Sequence, residues 1–405
     1  MIQKTIDYMK KVALILGLLA SSMLAEAQNF YPEDGNPDVL YPSDYQISLR
    51  KEIILPQVNG FNVYKADLHT HTIFSDGQVN TTFRVNEAWL DGLDVMAVTE
   101  HIEYRSFEDT FVKYTKKYHG GKYEKAVNNR IDRKPTCTEE GFLVDLNYSV
   151  RESQNAAKNN GILIIPGAEV TRDGRTVGHF NALFTTDNNL IFDPDPVQAV
   201  RNAKAQGALI MHNHPGWRKS SLDFTETEKA LYDAGLIDGV EVANFHQFYP
   251  AIVDRARERN LFIAANTDVH GATANDHGRS GYDRPMTLIF AKEKTLESVR
   301  EALESKRTLG YAFGTVSGDE QLLKDFFAAS MKVTVNRIGT QNVYLSLTNM
   351  SSIPYIIKRG SSNQIKLMPF QTVNITMSKT NQTLDLTVLN MYCSKDGHPV
   401  VSLTY

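Results

Sequence analysis

The sequence predicts an α/β protein, built on a parallel sheet or barrel and followed by a small all-β, sandwich-like domain. Three observations carry this reading. From Val63 to Ser305, apolar β-type runs alternate with helical patterns. From about Met331 the pattern changes to apolar–polar alternation with no helical period. Histidines and carboxylates recur where the apolar runs stop, in a chain with eleven histidines and only two cysteines.

The N-terminus reads as an address. Lys4, Lys10 and Lys11 precede the apolar run Val12–Leu24, and Ala25 and Ala27 follow in an A-x-A arrangement. That is a secretory signal over residues 1–27, with an apolar run too short for the roughly 20 residues that span a bilayer. The chain is therefore expected to be exported, periplasmic in a Gram-negative host and otherwise secreted, with no membrane span after cleavage. A proline-containing leader, residues 28–60, comes next.

The strands expected over residues 61–325 are Val63–His69, Val95–His101, Ile162–Val170, His179–Thr185, Ala208–His214, Gly239–Phe245, Leu261–His270 and Met286–Ala291. Helices are expected at Thr81–Gly92, Glu139–Asn160, Pro196–Gln206, Glu226–Gly235, Tyr249–Asn260 and Leu296–Ser305. Gly92, Gly161, Gly207 and Gly235 each stand where a helix stops and a left-handed residue is wanted. An insertion at 105–150 begins with a lysine-rich stretch, a solvated face or a lid that attracts an anion. Residues 326–405 alternate at Met331-Val333-Val335, Val343-Leu345-Leu347 and Leu384-Leu386-Val388, the pattern of half-exposed antiparallel strands, without the Cys…Trp…Cys spacing of an immunoglobulin domain.

Composition narrows the chemistry. With 42% hydrophobic and 22% charged residues the chain can bury a core. A net charge of −4 gives no reason to expect specific nucleic-acid binding. Two cysteines exclude a disulfide scaffold and a thiolate zinc site, and Cys137 and Cys393 fall in different expected domains, so their pairing is not expected.

The candidate site is written at the strand ends. Asp67-Leu68-His69-Thr70-His71 closes the first strand and puts two imidazoles on one side, with Ser75-Asp76-Gly77 following round a turn. The second strand ends in Glu100-His101, and the third runs into Pro166-Gly167-Ala168-Glu169. His179 starts the fourth, His212-Asn213-His214-Pro215 ends the fifth, and Asp268-Val269-His270 ends the seventh. In barrels of parallel strands this rim is where active sites are built. Clustered imidazoles and carboxylates suit zinc, manganese or iron(II). No G-x-S-x-G, P-loop or H-E-x-x-H is present. Arg218, Arg284 and Lys219 are candidate phosphate holders outside the metals, and His246 is a candidate acid for the leaving group.

The motifs DLHTH…SDG, VTEH, PGAE, HP and TDVH, in order from Lys65 to His270, resemble those of the PHP (polymerase and histidinol phosphatase) phosphoesterases. The resemblance implies a distorted (βα)7 TIM-like barrel with two or three divalent ions (Zn, Mn or Fe). Carried over by motif, His69, His71, Glu169 and Asp268 would hold the first ion. Glu169 would bridge to a second held by His179 and His214, and Asp76, His101 and His270 would hold a third. Asp67, Glu100 and His212 would stand behind the ligands, Glu100 where the family usually has Asp. The signal, the Arg284-Pro285-Met286-Thr287-Leu288 stretch and the β-rich tail look most like exported phosphodiesterase-type members.

The function expected is hydrolysis of a small phosphate ester, a phosphodiester in preference, by metal-activated hydroxide. A monoesterase acting on a sugar, nucleotide or histidinol phosphate is the alternative on the same fold, and a non-catalytic metal-dependent binding protein is the alternative of another class.

Overall fold

All eight expected strands form. In the computed structural model, which describes residues 36–38, 50–105, 137–138, 141–142, 145–278 and 281–405, they are β1 (Asn62–Asp67), β2 (Val95–Val98), β3 (Leu163–Thr171), β4 (His179–Leu183), β5 (Leu209–His212), β6 (Gly239–Asn244), β7 (Phe262–Asn266) and β8 (Met286–Ala291). The signal segment and the lysine-rich stretch beyond Arg105 lie outside the described residues, as does the side chain of Cys137.

The curled sheet runs in the order β7-β6-β5-β4-β3-β2-β1-β8. Two strands depart from the expected parallel arrangement: β8 pairs antiparallel with β1, and, within the run from β1 to β7, β4 pairs antiparallel with both β3 and β5. For β4 the reason is the connection. Only residues 172–178 separate β3 from β4, whereas a parallel crossover needs a dozen or more. The chain turns back as a hairpin, which brings the first residue of β4, His179, to the rim where its neighbours end.

The sheet closes at that rim. Beyond β1 and β7 the chain forms an isolated parallel bridge, Thr70 with Val269. The Asp268 N–H donates to the His69 carbonyl (3.0 Å) and the His71 N–H to that of Val269 (3.2 Å). Lower down, Ile263 and Ala265 of β7 donate to the hydroxyls of Thr308 and Thr287 instead of to a neighbouring backbone (3.0 Å each). This departure from a continuous ladder is the barrel's distortion.

The helices follow their sequence signals. Helix α1 (Thr81–Leu90) is capped by the Asn80 side chain, α3 (Pro196–Ala205) by Asp195 ahead of Pro196, and α4 (Glu226–Asp233) by a Thr225–Glu228 capping box. Between them α2 occupies Tyr148–Ala157, and α5 (Ala251–Arg259), the single turn α6 (Thr273–Asp276) and α7 (Leu296–Glu304) complete the layer. Gly92, Gly161, Gly207 and Gly235 all have positive φ, as their places after helices require.

Past the barrel, a hairpin of β9 (Thr308–Ala312) and β10 (Thr315–Gly318) extends the sheet from β8, and α8 (Glu320–Ser330) leads into the tail. The tail stacks β11 (Met331–Ile338), β12 (Asn342–Asn349) and β15 (Thr372–Ser378) as one sheet. A second holds β14 (Ile365–Leu367), β13 (Tyr355–Lys358), β16 (Thr383–Val388) and β18 (Val400–Thr404). Its core is continuous with the barrel's outer layer: Leu345, Leu347, Tyr355 and Leu386 share one buried cluster with Leu288, Phe290, Phe326 and Phe327. The strand β17 (Met391–Tyr392) even pairs parallel with β10. No helix among the described residues is long and apolar enough to cross a membrane.

Candidate metal centre

Residues at or just past the ends of β1, β2, β3, β5 and β7 and at the start of β4 bring their side chains together. Past β1 the backbone reverses over Ser75-Asp76-Gly77, with the N–H groups of Ser75 and Gly77 both on the Thr72 carbonyl. A Cβ on Gly77 would lie 2.7 Å from the Thr72 backbone, so only glycine permits this close return, which carries Asp76 back over the site. His214 and Asp268 sit just past β5 and β7 with φ of 27° and 53°. Such left-handed backbone costs a non-glycine residue of the order of 1–3 kcal/mol, and it tends to persist where a site demands it.

The ligand atoms expected for one ion lie close together. The Nε2 atoms of His69 and His71 are each 3.2 Å from Asp268 Oδ1, and 3.5 and 3.7 Å from the two oxygens of Glu169. The Oε1 of Glu169 that faces His69 is also 3.2 Å from His179 Nδ1 and 3.8 Å from His214 Nε2, and its Oε2 is 2.5 Å from His101 Nδ1. Asp76 Oδ1 stands 3.3 Å from His101 Nε2 and 3.1 Å from His270 Nε2. The groups His71–Asp76–His101–His270, His69–Glu169–His214 and His69–His71–Asp268 each place their donor atoms within 4.8 Å of one another.

These atoms fit metal ions. Around a tetrahedral ion with ligands at about 2.1 Å, donor atoms stand about 3.4 Å apart. The buried Nε2 atoms of His69 and His71 and the Oδ1 of Asp76 make no hydrogen bond among the described residues, although each faces opposite charge. A buried polar atom left this way costs about 1–3 kcal/mol unless something binds it. Against burial, which would lower them, the neighbouring carboxylates raise the imidazoles of His69, His101 and His270. Burial alone would raise Glu169, but the surrounding His101, His179 and His69 hold its carboxyl well below the usual range. His71 is pushed down to about 3 by burial and by the neighbouring His101 and His270, leaving a neutral imidazole free to ligate.

Residues behind the ligands fix their orientation. Glu100 accepts from the N–H and hydroxyl of Thr72 and from Ser75, whose hydroxyl lies 3.4 Å from His71 Nδ1. Asp67 accepts from the N–H of both His69 and Thr267. Three contributors were not anticipated. Asn213 donates to Glu169 at 2.8 Å. Glu241 backs His69 at 3.0 Å. Arg84, fully buried on α1, donates to the carbonyls of His71, Val269 and His270. Glu241 had a signal, a charge inside an apolar strand; Arg84 looks like any surface helix arginine in sequence.

Three expectations are corrected. His212 does not stand behind the ligands: its ring contacts Phe180, Tyr232 and Glu228, because the left-handed His214 breaks the strand alternation that would have put both on one side. Arg284 is no substrate holder but a buried strut, paired with Asp67 and Asp91. Lys219 is spent on Glu228 at 2.9 Å. Arg218 does line the cleft over the centre, exposed and stacked 4.2 Å above the Trp217 ring. Trp217 in turn packs 5.2 Å from both His179 and His214. His246 also lines this cleft of about 1140 Å³, exposed at its mouth beside Phe245.

A family model described as the PHP domain matches residues 67–362, and one described as an Ig-like domain matches 330–404. The chain belongs to the PHP family. Its relatives of known structure include a two-domain protein from Bacteroides vulgatus containing a predicted PHP-like metal-dependent phosphoesterase. That protein is 30% identical, with a TM-score of 0.74 over 89% of this chain and 100% of that one. A Bifidobacterium adolescentis protein carrying a provisional metal-dependent phosphoesterase name is 16% identical over 51% of this chain and 88% of its own, TM-score 0.33. An amidohydrolase from Chromobacterium violaceum, with bound sulfate and no metal, is 15% identical over 52% and 89%, TM-score 0.33. No curated protein matches the chain. The PHP barrel and the small all-β domain expected from sequence are both present, and the family model makes the latter Ig-like.

Proposed function

We propose that this PHP protein is a metal-dependent phosphoesterase that hydrolyses small phosphodiesters outside the cytoplasm. The observation that carries the reading is Glu169, whose Oε1 lies 3.5 Å from His69 Nε2, 3.2 Å from His179 Nδ1 and 3.8 Å from His214 Nε2, while its Oε2 lies 3.7 Å from His71 Nε2 and 2.5 Å from His101 Nδ1. A carboxylate so placed could be shared by two ions. His69, His71 and Asp268 would complete the first site, His179 and His214 the second, and Asp76, His101 and His270 would hold a third. Bound divalent ions supply Lewis acidity toward a phosphoryl oxygen and lower the pKa of water to about 7.

The remaining work falls to the chain's own residues. Asn213 holds Glu169 in place through its amide. The Arg218 guanidinium, kept flat on Trp217, faces the cleft as a donor for a non-bridging phosphate oxygen. His246 Nε2–H donates to the Asp276 carbonyl at 2.9 Å, so a proton for the leaving oxygen would come from Nδ1 of the imidazolium form. Preference for diesters is supported by the size of the cleft, which exceeds what a phosphoryl group and one small substituent fill. Action outside the cytoplasm is supported by the signal-like residues 1–27.

The test is metal analysis of the purified chain together with hydrolysis of 4-nitrophenyl phosphate and bis(4-nitrophenyl) phosphate. Two or more ions per chain and faster turnover of the diester are expected. Faster turnover of the monoester would replace the phosphodiesterase reading with the monoesterase. Bound metal with neither ester hydrolysed would favour the binding-protein reading.

A further inference from the structure

Among the strands β1 to β7, β6 is the exception. The ends of β1, β2, β3, β5 and β7 and the start of β4 all bring candidate ligands, whereas β6 brings none. What it carries instead is Glu241, a carboxylate with no exposed surface. Its Oε1 lies 3.0 Å from His69 Nδ1 and accepts from the Asn266 amide at 2.9 Å. Its Oε2 accepts the main-chain N–H of His214 at 2.6 Å and the Asn244 amide at 2.9 Å.

A carboxylate oxygen accepts, so the neutral, metal-binding form of the His69 ring would carry its hydrogen on Nδ1. The Asn244 amide is a weaker competitor for that nitrogen, at 3.5 Å. The His69 lone pair is thereby left on Nε2, the atom that faces Asp268 and Glu169. The second oxygen meanwhile pins the left-handed His214, whose ring also faces Glu169. One side chain thus fixes a ring from β1 and a backbone from β5. Among the described residues it touches none of Asp76, His101 and His270.

We propose that Glu241 is a positioning residue that sets the metal affinity of the two sites sharing Glu169 and leaves the Asp76–His101–His270 site untouched. This rests on the metal-centre reading above. Groups that orient a metal-bound histidine typically contribute 10- to 100-fold in affinity.

The test titrates the metal-free full-length chain with cobalt(II), followed by visible absorbance, for wild type and Glu241→Gln. The variant should bind 10- to 100-fold more weakly at the two sites sharing Glu169, with the Asp76–His101–His270 site at wild-type affinity. Glu241→Asp, which keeps the charge, should recover part of the affinity and serves as the second variant if Glu241→Gln does not fold. Equal affinity in wild type and variant, or an equal loss at every site, would overturn the proposal while leaving the phosphoesterase reading intact. A wild-type chain that binds no cobalt would remove both.

Discussion

Arg284 is bound to Asp67 at 2.6 Å, with the arginine side chain almost entirely buried. The pair lies beneath the rim: Asp67 receives the N–H groups of His69 and Thr267, so the guanidinium stabilises the turn that presents two ligands. An arginine used this way is unavailable to substrate. Arg284→Met leaves Asp67 buried and unpaired, which costs about 3–5 kcal/mol. Thermal unfolding should show it as a large drop in Tm. Arg218→Ala, by contrast, should leave Tm within a degree or two and raise KM for bis(4-nitrophenyl) phosphate several-fold. A KM unchanged by loss of Arg218 would remove that residue from substrate binding.

Glu169→Gln removes the charge that both halves of the centre share. The variant should lose at least one ion per chain by elemental analysis and lose activity by two orders of magnitude or more. Full metal content in that variant would contradict the bridge.

Acid should act on the outer face of β5 as well as on the metal centre. Burial alone would raise the Glu228 carboxyl, but His212 and Lys219 bring it down to about 2, from an ordinary value of 4.5. A depressed carboxylate contributes stability that is full above its unfolded pKa and lost as pH falls toward the folded one. The stability difference between wild type and Glu228→Gln, measured by urea unfolding, should therefore be full above pH 4.5 and shrink toward zero near pH 2. A difference independent of pH over that window would mean the ion pair contributes nothing.

The all-β tail covers apolar surface of the barrel. Leu345, Leu347 and Tyr355 pack in the same cluster as Phe326 and Phe327, and the Tyr355 hydroxyl donates to Ser330 at 2.9 Å. A chain ending at residue 330 would expose that layer. It should be recovered as aggregate or show a sharply lower Tm, by light scattering and calorimetry. A soluble fragment with wild-type melting would show that the barrel does not need the tail.

The sequence by itself determined the run of elements and the composition of the rim. The eight strands, the glycine stops and the ligand residues are local signals: an apolar run has its own length, a helix its own stop, and a histidine at a strand end is visible without knowing its neighbours. What the tertiary structure decided is where side chains point once the backbone departs from regular geometry, and which charges meet. The seven-residue loop turns β4 antiparallel and brings His179 to the ligand rim. The left-handed His214 sends His212 away from that rim. Arg284 finds Asp67 across 217 residues and Glu241 finds His69 across 172. Such pairings are set by barrel closure between distant strands, and no spacing along the chain encodes them.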